Sequence, residues 1–138
     1  MIVVDSSAVI AIFRQESDAE DYARSIAADD DPIMSAANLV EVSIVLRGLK
    51  RIAPEKAERW LDDFMKAAAI RIEPVTLDQA QAARSAHLQF GKGTGHSAAL
   101  NYGDCFAYAL AKTMDAPLLC KGNDFPATDI GIAQGRTE

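Results

Sequence analysis

A chain of 138 residues suffices for one domain that buries roughly two-thirds of its unfolded surface, and is short for two; the expectation is a single unit over residues 1–138. With 49% apolar and 25% charged residues, 8 Gly and 5 Pro, the composition excludes intrinsic disorder, collagen and low complexity. Twenty acids against fourteen bases leave a formal charge of −6, so the chain binds polyanions only where its basic groups cluster or a cation intervenes.

Ile2 to Val4 predict a strand that ends at Asp5, with Ser6 and Ser7 offering cap chemistry to a helical run Ala8 to Phe13. A second helical pattern, Asp18 to Ala28, stops at the acids Asp29, Asp30, Asp31 and at Pro32, and Ile33 and Met34 form the next strand. Ser35 precedes a long helix from about Ala36 to Leu49, closed by Lys50 and Arg51. Pro54 opens another through Ala67, whose apolar side is Trp60, Leu61 and Phe64.

The run Ile70 to Val75 starts as a strand and exits at Pro74; Thr76 to Phe90 is helical, with Leu77, Ala80, Ala83 and Leu88 as the predicted apolar face. Gly91 to Asn101 is Gly-rich, Tyr102 to Met114 is an almost wholly apolar helix, and Leu118 to Cys120 is the last predicted strand. Strands alternating with helices of ten or more residues imply parallel pairing through crossovers. The expected fold is therefore a three-layer α/β/α sandwich around a mostly parallel sheet of four or five strands.

No apolar run approaches the ~20 residues that span a bilayer, and MIVVDSSAVI carries no basic segment ahead of its apolar stretch. A cytoplasmic protein without membrane association is expected. Cys105 and Cys120 belong to no CxxC or Cys/His ligand set, which argues against structural zinc.

In open α/β sheets ligands bind beyond the carboxyl ends of the strands. Asp5 follows the first strand; helix capping is the competing role for it. Glu41 lies in a helix that is apolar from Ala36 to Leu46 except at Asn38 and Ser43, so it either shares a polar stripe with Asn38 or meets a cation. Asp104 sits in the first turn of the apolar helix, where the macrodipole alone stabilises a carboxylate by ~0.3–1 kcal/mol. Asp124 follows the last strand in a segment that reads as a turn.

Taken jointly, four acids emerge where a parallel sheet brings them to one edge. Clustered carboxylates repel, and an all-oxygen set suits Mg²⁺ or Mn²⁺ rather than softer metals. Such an ion serves hydrolytic phosphodiester cleavage and offsets the repulsion between an acidic protein and phosphate. Gly91 to His96 lacks the GxxxxGK[ST] pattern and follows a helix, so it reads as a loop with Lys92 as a secondary phosphate contact. A histidine acid/base pair would need His87, on a helix, to meet His96, in that loop.

The order Val-Asp5-Ser-Ser-Ala, Ser35-Ala-Ala-Asn-Leu-Val-Glu41-Val, Asn101-Tyr-Gly-Asp104-Cys-Phe-Ala-Tyr-Ala-Leu-Ala and Leu-Leu-Cys-Lys-Gly-Asn-Asp124-Phe resembles the PIN-domain ribonucleases, in particular the VapC toxins of bacterial toxin–antitoxin pairs. The resemblance covers essentially the whole chain. It implies a metal-dependent endoribonuclease using Mg²⁺ or Mn²⁺, with Asp5, Glu41, Asp104 and Asp124 at the acidic positions. It also implies a homodimer, a VapB-type antitoxin partner, and a structured RNA substrate such as a tRNA or rRNA loop. Many members carry an Arg and an Asp just before the fourth acid; Lys121, Gly122 and Asn123 stand there in this chain.

Within that frame Ser7 and Asn38 are candidate supports for the acids. Arg47, Lys50 and Arg51 are candidates for the RNA backbone, with helix C-terminal charge complementation as the alternative. Trp60, Leu61 and Phe64 are candidates for an antitoxin groove if their face is open, and for internal packing if it is not. Two further readings compete: a non-catalytic PIN-like or Rossmann-like binding module in which the acids only cap helices, and a small metal-dependent phosphatase.

Overall fold

Consecutive residues of a strand face opposite sides of a sheet, and this alternation organises the molecule. In the computed structural model, which describes residues 1–133, Val3, Ile33 and Leu118 pack into one apolar cluster with Phe90, Leu100 and Leu110. Their neighbours Val4, Met34 and Leu119 pack into another with Val9, Val42, Leu46 and Leu61. Both faces of the central strands are buried, which explains why these strands read as unbroken apolar runs.

The sheet contains β1 (Ile2–Val4), β2 (Pro32–Ser35), β3 (Arg71–Glu73), β4 (Leu118–Leu119) and β5 (Ile132–Ala133). Its order is β3-β2-β1-β4-β5, and every pairing is parallel. The crossovers supply the outer layers: α1 (Ser6–Phe13) and α2 (Ala19–Ala28), then α3 (Ala36–Arg47) and α4 (Pro54–Ala67), then α5 (Leu77–Phe90) and α6 (Tyr102–Met114). The last two line one cluster, and the first four supply the other. The expected α/β/α sandwich is the fold, with β5 completing its five strands.

Several local expectations are corrected. Asp5, rather than Ser6 or Ser7, is the N-cap of α1, and the helix starts at Ser6. Helix α3 ends at Arg47, with Gly48 as its C-cap, so Lys50 and Arg51 lie beyond it and Arg51 takes φ 76°. On α5, Leu77 and Leu88 are exposed while Gln79, Ala83, Ala86 and Phe90 are buried. The face that packs on α6 is the one carrying small residues, and close helix approach overrides the placement of the two leucines.

Candidate active site

Because the strands are parallel, the residues after β1 and β2 leave the sheet at one edge. Asp5 is 3% exposed. Its Oδ2 accepts from the Ser7 backbone N–H at 3.0 Å and from Ser7 Oγ at 2.5 Å. Its Oδ1 is buried and has no hydrogen-bond partner among the described residues. Capping thus accounts for one oxygen of this carboxylate and leaves the other unpaired, an arrangement that costs free energy in the absence of a ligand.

Ser35 caps α3 by accepting from Ala37 N at 3.2 Å, and α3 carries Asn38 and Glu41 on its third and sixth residues. Glu41 Oε1 accepts from Ser6 Oγ at 2.5 Å and from Asn38 Nδ2 at 3.1 Å. The same Asn38 Nδ2 donates to Gly103 O at 3.0 Å, tying α3 to α6. Asn38 is wholly buried, and its Oδ1 has no partner among the described residues.

Helix α6 begins with a reciprocal cap: Asp104 N donates to Asn101 Oδ1 at 2.9 Å, and Asp104 Oδ2 accepts from Asn101 N at 3.0 Å. Burial, together with the charges of Asp5, Glu41 and Asp124, pushes the Asp104 carboxyl up to about 7. Burial, opposed by the Ser7 hydrogen bonds and assisted by Glu41, pushes Asp5 up to about 6. Asp104 thus feels the charges of the three other acids, and Asp5 that of Glu41, each after the larger effect of burial. Asp124 is exposed and begins the 3-10 turn Phe125–Ala127, with no side-chain cap bond.

The donor set is all oxygen, and the buried, unpaired Oδ1 of Asp5 is the kind of atom a hard cation satisfies, so Mg²⁺ or Mn²⁺ fits its chemistry. Among the described residues no three such side chains already close around a single point.

The supporting candidates behave differently from one another. Ser7 donates to Asp5 and Asn38 donates to Glu41. Arg47 is paired with Glu58 at 2.7 Å, whereas Lys50 and Arg51 are exposed beyond α3. Leu61 is buried in the core. Trp60 and Phe64 stack at 4.9 Å, with Phe13 edge-on to Trp60 at 4.7 Å, and both remain half-exposed.

Ser6 and Gly103 were not singled out as site residues by sequence reasoning. Ser6 looked like a second cap, yet its hydroxyl serves Glu41 from the neighbouring helix. Gly103 had a readable signal: a glycine inside a helix costs about 1 kcal/mol relative to alanine and calls for a packing reason. A Cβ at position 103 would overlap the Glu41 carboxylate.

The sequence profile of the PIN domain matches residues 2–131. The chain belongs to the PIN-domain family. Its curated relatives lie among the VapC ribonucleases: Ribonuclease VapC28 of Mycobacterium tuberculosis is 45% identical over 135 residues, 98% of this chain and 99% of the relative. Ribonuclease VapC of Mycolicibacterium smegmatis is 45% identical over 131 residues, 94% of this chain and 97% of the relative. The fold is shared with VapC20 of M. tuberculosis, described as a toxin that cleaves the sarcin–ricin loop, at TM-score 0.74 and 16% identity, covering 97% and 99% of the two chains. It is shared also with VapBC-1 of nontypeable Haemophilus influenzae, at TM-score 0.75 and 15% identity, covering 98% of each chain. Among the described residues no helix is long and apolar enough to cross a membrane.

Proposed function

We propose that the protein is a cytoplasmic, metal-dependent endoribonuclease toxin that hydrolyses phosphodiester bonds in structured RNA, a tRNA or rRNA loop. The observation that carries this reading is a buried Asp5 oxygen without a hydrogen-bond partner among the described residues, close to Asp104, whose carboxyl is pushed up to about 7 by burial first and then by the charges of Asp5, Glu41 and Asp124. Capping explains why Asp104 stands in the first turn of α6; it does not explain the unpaired Asp5 oxygen or a glutamate clasped by two donors between α1, α3 and α6.

Asp5 through Oδ1 and Asp104 would hold the Mg²⁺ or Mn²⁺, with Glu41 and Asp124 completing the site. When bound, the ion supplies charge neutralisation at the phosphate and acidifies water. Ser6 and Asn38 hold Glu41 in one orientation, and Ser7 holds Asp5 through Oδ2, which leaves Oδ1 without a donor among the described residues. Asp124, unpaired by any cap bond, orients the attacking water and accepts its proton. The water oxygen joins phosphorus as the P–O ester bond breaks, and the departing oxygen takes a proton from solvent.

Two surfaces support the partner assignments. Val40, Ile44 and Tyr102 are 57%, 56% and 79% exposed and line an apolar hollow of about 370 Å³ that also touches Glu41 and Phe106; this is the face assigned to a homodimer. Between α2 and α4, Ile26, Ala27, Phe64 and Ala68 line a groove of about 460 Å³. Phe64 stacks on the half-buried Trp60, and the groove is assigned to an amphipathic antitoxin helix. A solved structural neighbour from Klebsiella pneumoniae is described as a toxin–antitoxin complex.

The deciding experiment incubates a bulk tRNA and rRNA pool with the purified protein and Mg²⁺ or Mn²⁺, beside EDTA and Asp5→Asn controls. Discrete fragments that need metal and vanish with Asp5→Asn are expected. Equal patterns from folded, antitoxin-free wild type and variant reject the reading.

A further inference from the structure

The loop that carries Asp124 is tethered three residues before it. Lys121 N donates to Ser7 Oγ at 2.9 Å, and the Ser7 hydroxyl donates to Asp5 Oδ2. The Lys121 ammonium reaches across to the segment joining α1 and α2, where it meets Glu16 Oε1 at 2.6 Å and Asp18 Oδ1 at 3.2 Å. Asp18 spends its other oxygen on the Tyr22 hydroxyl at 2.9 Å, and Tyr22 is buried in the core. A continuous path of hydrogen bonds and one side chain thus runs from the core of α2 through Lys121 to the carboxylate of Asp5.

We propose that Lys121 is a positioning residue of the active site: its two-carboxylate clamp fixes the β4 exit so that Asp124 and the Ser7–Asp5 pair keep their relative placement. The inference rests on the endoribonuclease reading and names a residue outside the four acids. Three features separate this lysine from an ordinary surface ion pair, which contributes little. Two acids share its ammonium, its own backbone N–H ends on a hydroxyl that orients Asp5, and one of its acids is braced by a buried tyrosine. The hydrogen bonds to Glu16 and then Asp18 raise the Lys121 pKa and keep the clamp charged. An ammonium held this way is also committed, so Lys121 contributes placement rather than a phosphate contact.

The test uses the full chain as wild type, Lys121→Ala, Lys121→Arg and a Glu16→Gln/Asp18→Asn double variant. Two independent readouts are taken: RNA cleavage with Mn²⁺ resolved into kcat and KM over a salt series, and amide hydrogen exchange without metal. Expected for Lys121→Ala is a fall in kcat of about tenfold, the scale of a small misplacement of reacting groups, with KM nearly unchanged. Exchange at the Lys121 and Ala127 amides accelerates while core amides stay protected. Lys121→Arg restores both properties, and the double variant reproduces the alanine phenotype.

A raised KM with a salt slope reduced by about 0.7 would mark Lys121 as a phosphate contact and overturn the proposal. Unchanged kcat and exchange in a folded Lys121→Ala protein would do so equally. If the wild type itself cleaves nothing, the endoribonuclease reading fails on its own account, and the exchange arm still decides whether Lys121 fixes the loop.

Discussion

The carboxylate of Glu41 stands where a Cβ on Gly103 would stand, so a side chain at position 103 requires that carboxylate to move. Asn38 joins the same two residues by donating to both, so α3 and α6 meet through one glutamate, one amide and one missing methyl group. Gly103→Ala gains up to about 1 kcal/mol of helix propensity and incurs an overlap of the kind that costs about 1–3 kcal/mol in tightly packed sites. The expected outcome is a modest net loss of stability with cleavage reduced at least tenfold, since Glu41 must yield. Pairing the change with Glu41→Ala should recover the stability but not the activity. A double-mutant cycle by chemical denaturation that shows simple additivity would contradict the contact.

Asn38→Asp tests the same junction from the other side. Both amide hydrogens of Asn38 have acceptors, Glu41 Oε1 and Gly103 O; an aspartate removes both donors, brings a like charge to Glu41 and sets an acceptor against the Gly103 carbonyl. Loss of buried donors with charge repulsion predicts destabilisation of about 2–4 kcal/mol. Urea unfolding in EDTA measures it, and a value under 1 kcal/mol would show that the amide is replaceable.

Metal-free stability carries a pH signature. Burial and neighbouring charge raise Asp5 to about 6 and Asp104 to about 7, from 3.8 for each in the ordinary case. Between those limits the folded chain binds more protons than the unfolded one, so the stability associated with the protonated acids is full at low pH and is lost as pH rises through the folded values. Melting temperature in EDTA should therefore fall from about pH 5 to pH 8, other groups held equal. Asp104→Asn should flatten the trend and stabilise the apoprotein at pH 8 by about 2 kcal/mol, after allowance for the partial exposure of that side chain. Added Mn²⁺ should reverse the trend in the wild type, because binding to the folded state favours the ionised acids.

The central strands were legible because apolar runs mark doubly buried strands, and the places of Asp5 after β1 and of Asp104 in the first turn of α6 were legible from the local sequence, whereas Glu41, on the sixth residue of α3, shows only as a carboxylate in an otherwise apolar helix. The two-residue β5, Ile132–Ala133, offers no periodicity and exists through its parallel pairing with Leu118 and Leu119. Leu77 and Leu88 misled because the packed face of α5 is chosen by close approach to α6, which favours alanine. Ser6 and Lys121 were out of reach for a different reason. Their partners lie 35 and 105 positions away in sequence, and such pairings become visible only when the crossovers bring α1, α3 and the β4 exit together.

The hollow beside Glu41 makes dimerisation testable with one change at a residue whose side chain takes no part in the acids' own hydrogen bonds. Ile44 lies on the outer face of α3, 56% exposed, and lines that hollow with Val40 and Tyr102. A soluble chain that exposes three large apolar side chains around one concavity usually covers them. In a two-fold interface the same residue faces its own symmetry mate or a near neighbour, so Ile44→Glu places a charge on each side of the contact. Sedimentation at micromolar concentration should show a dimer for the wild type and a monomer for Ile44→Glu, with circular dichroism unchanged because the side chain is outside both apolar clusters. Because Glu41 lines the same hollow, the monomer is expected to lose part of its cleavage rate. A wild type that sediments as a monomer would assign the hollow to another partner, and a variant that remains dimeric would move the interface elsewhere on the molecule.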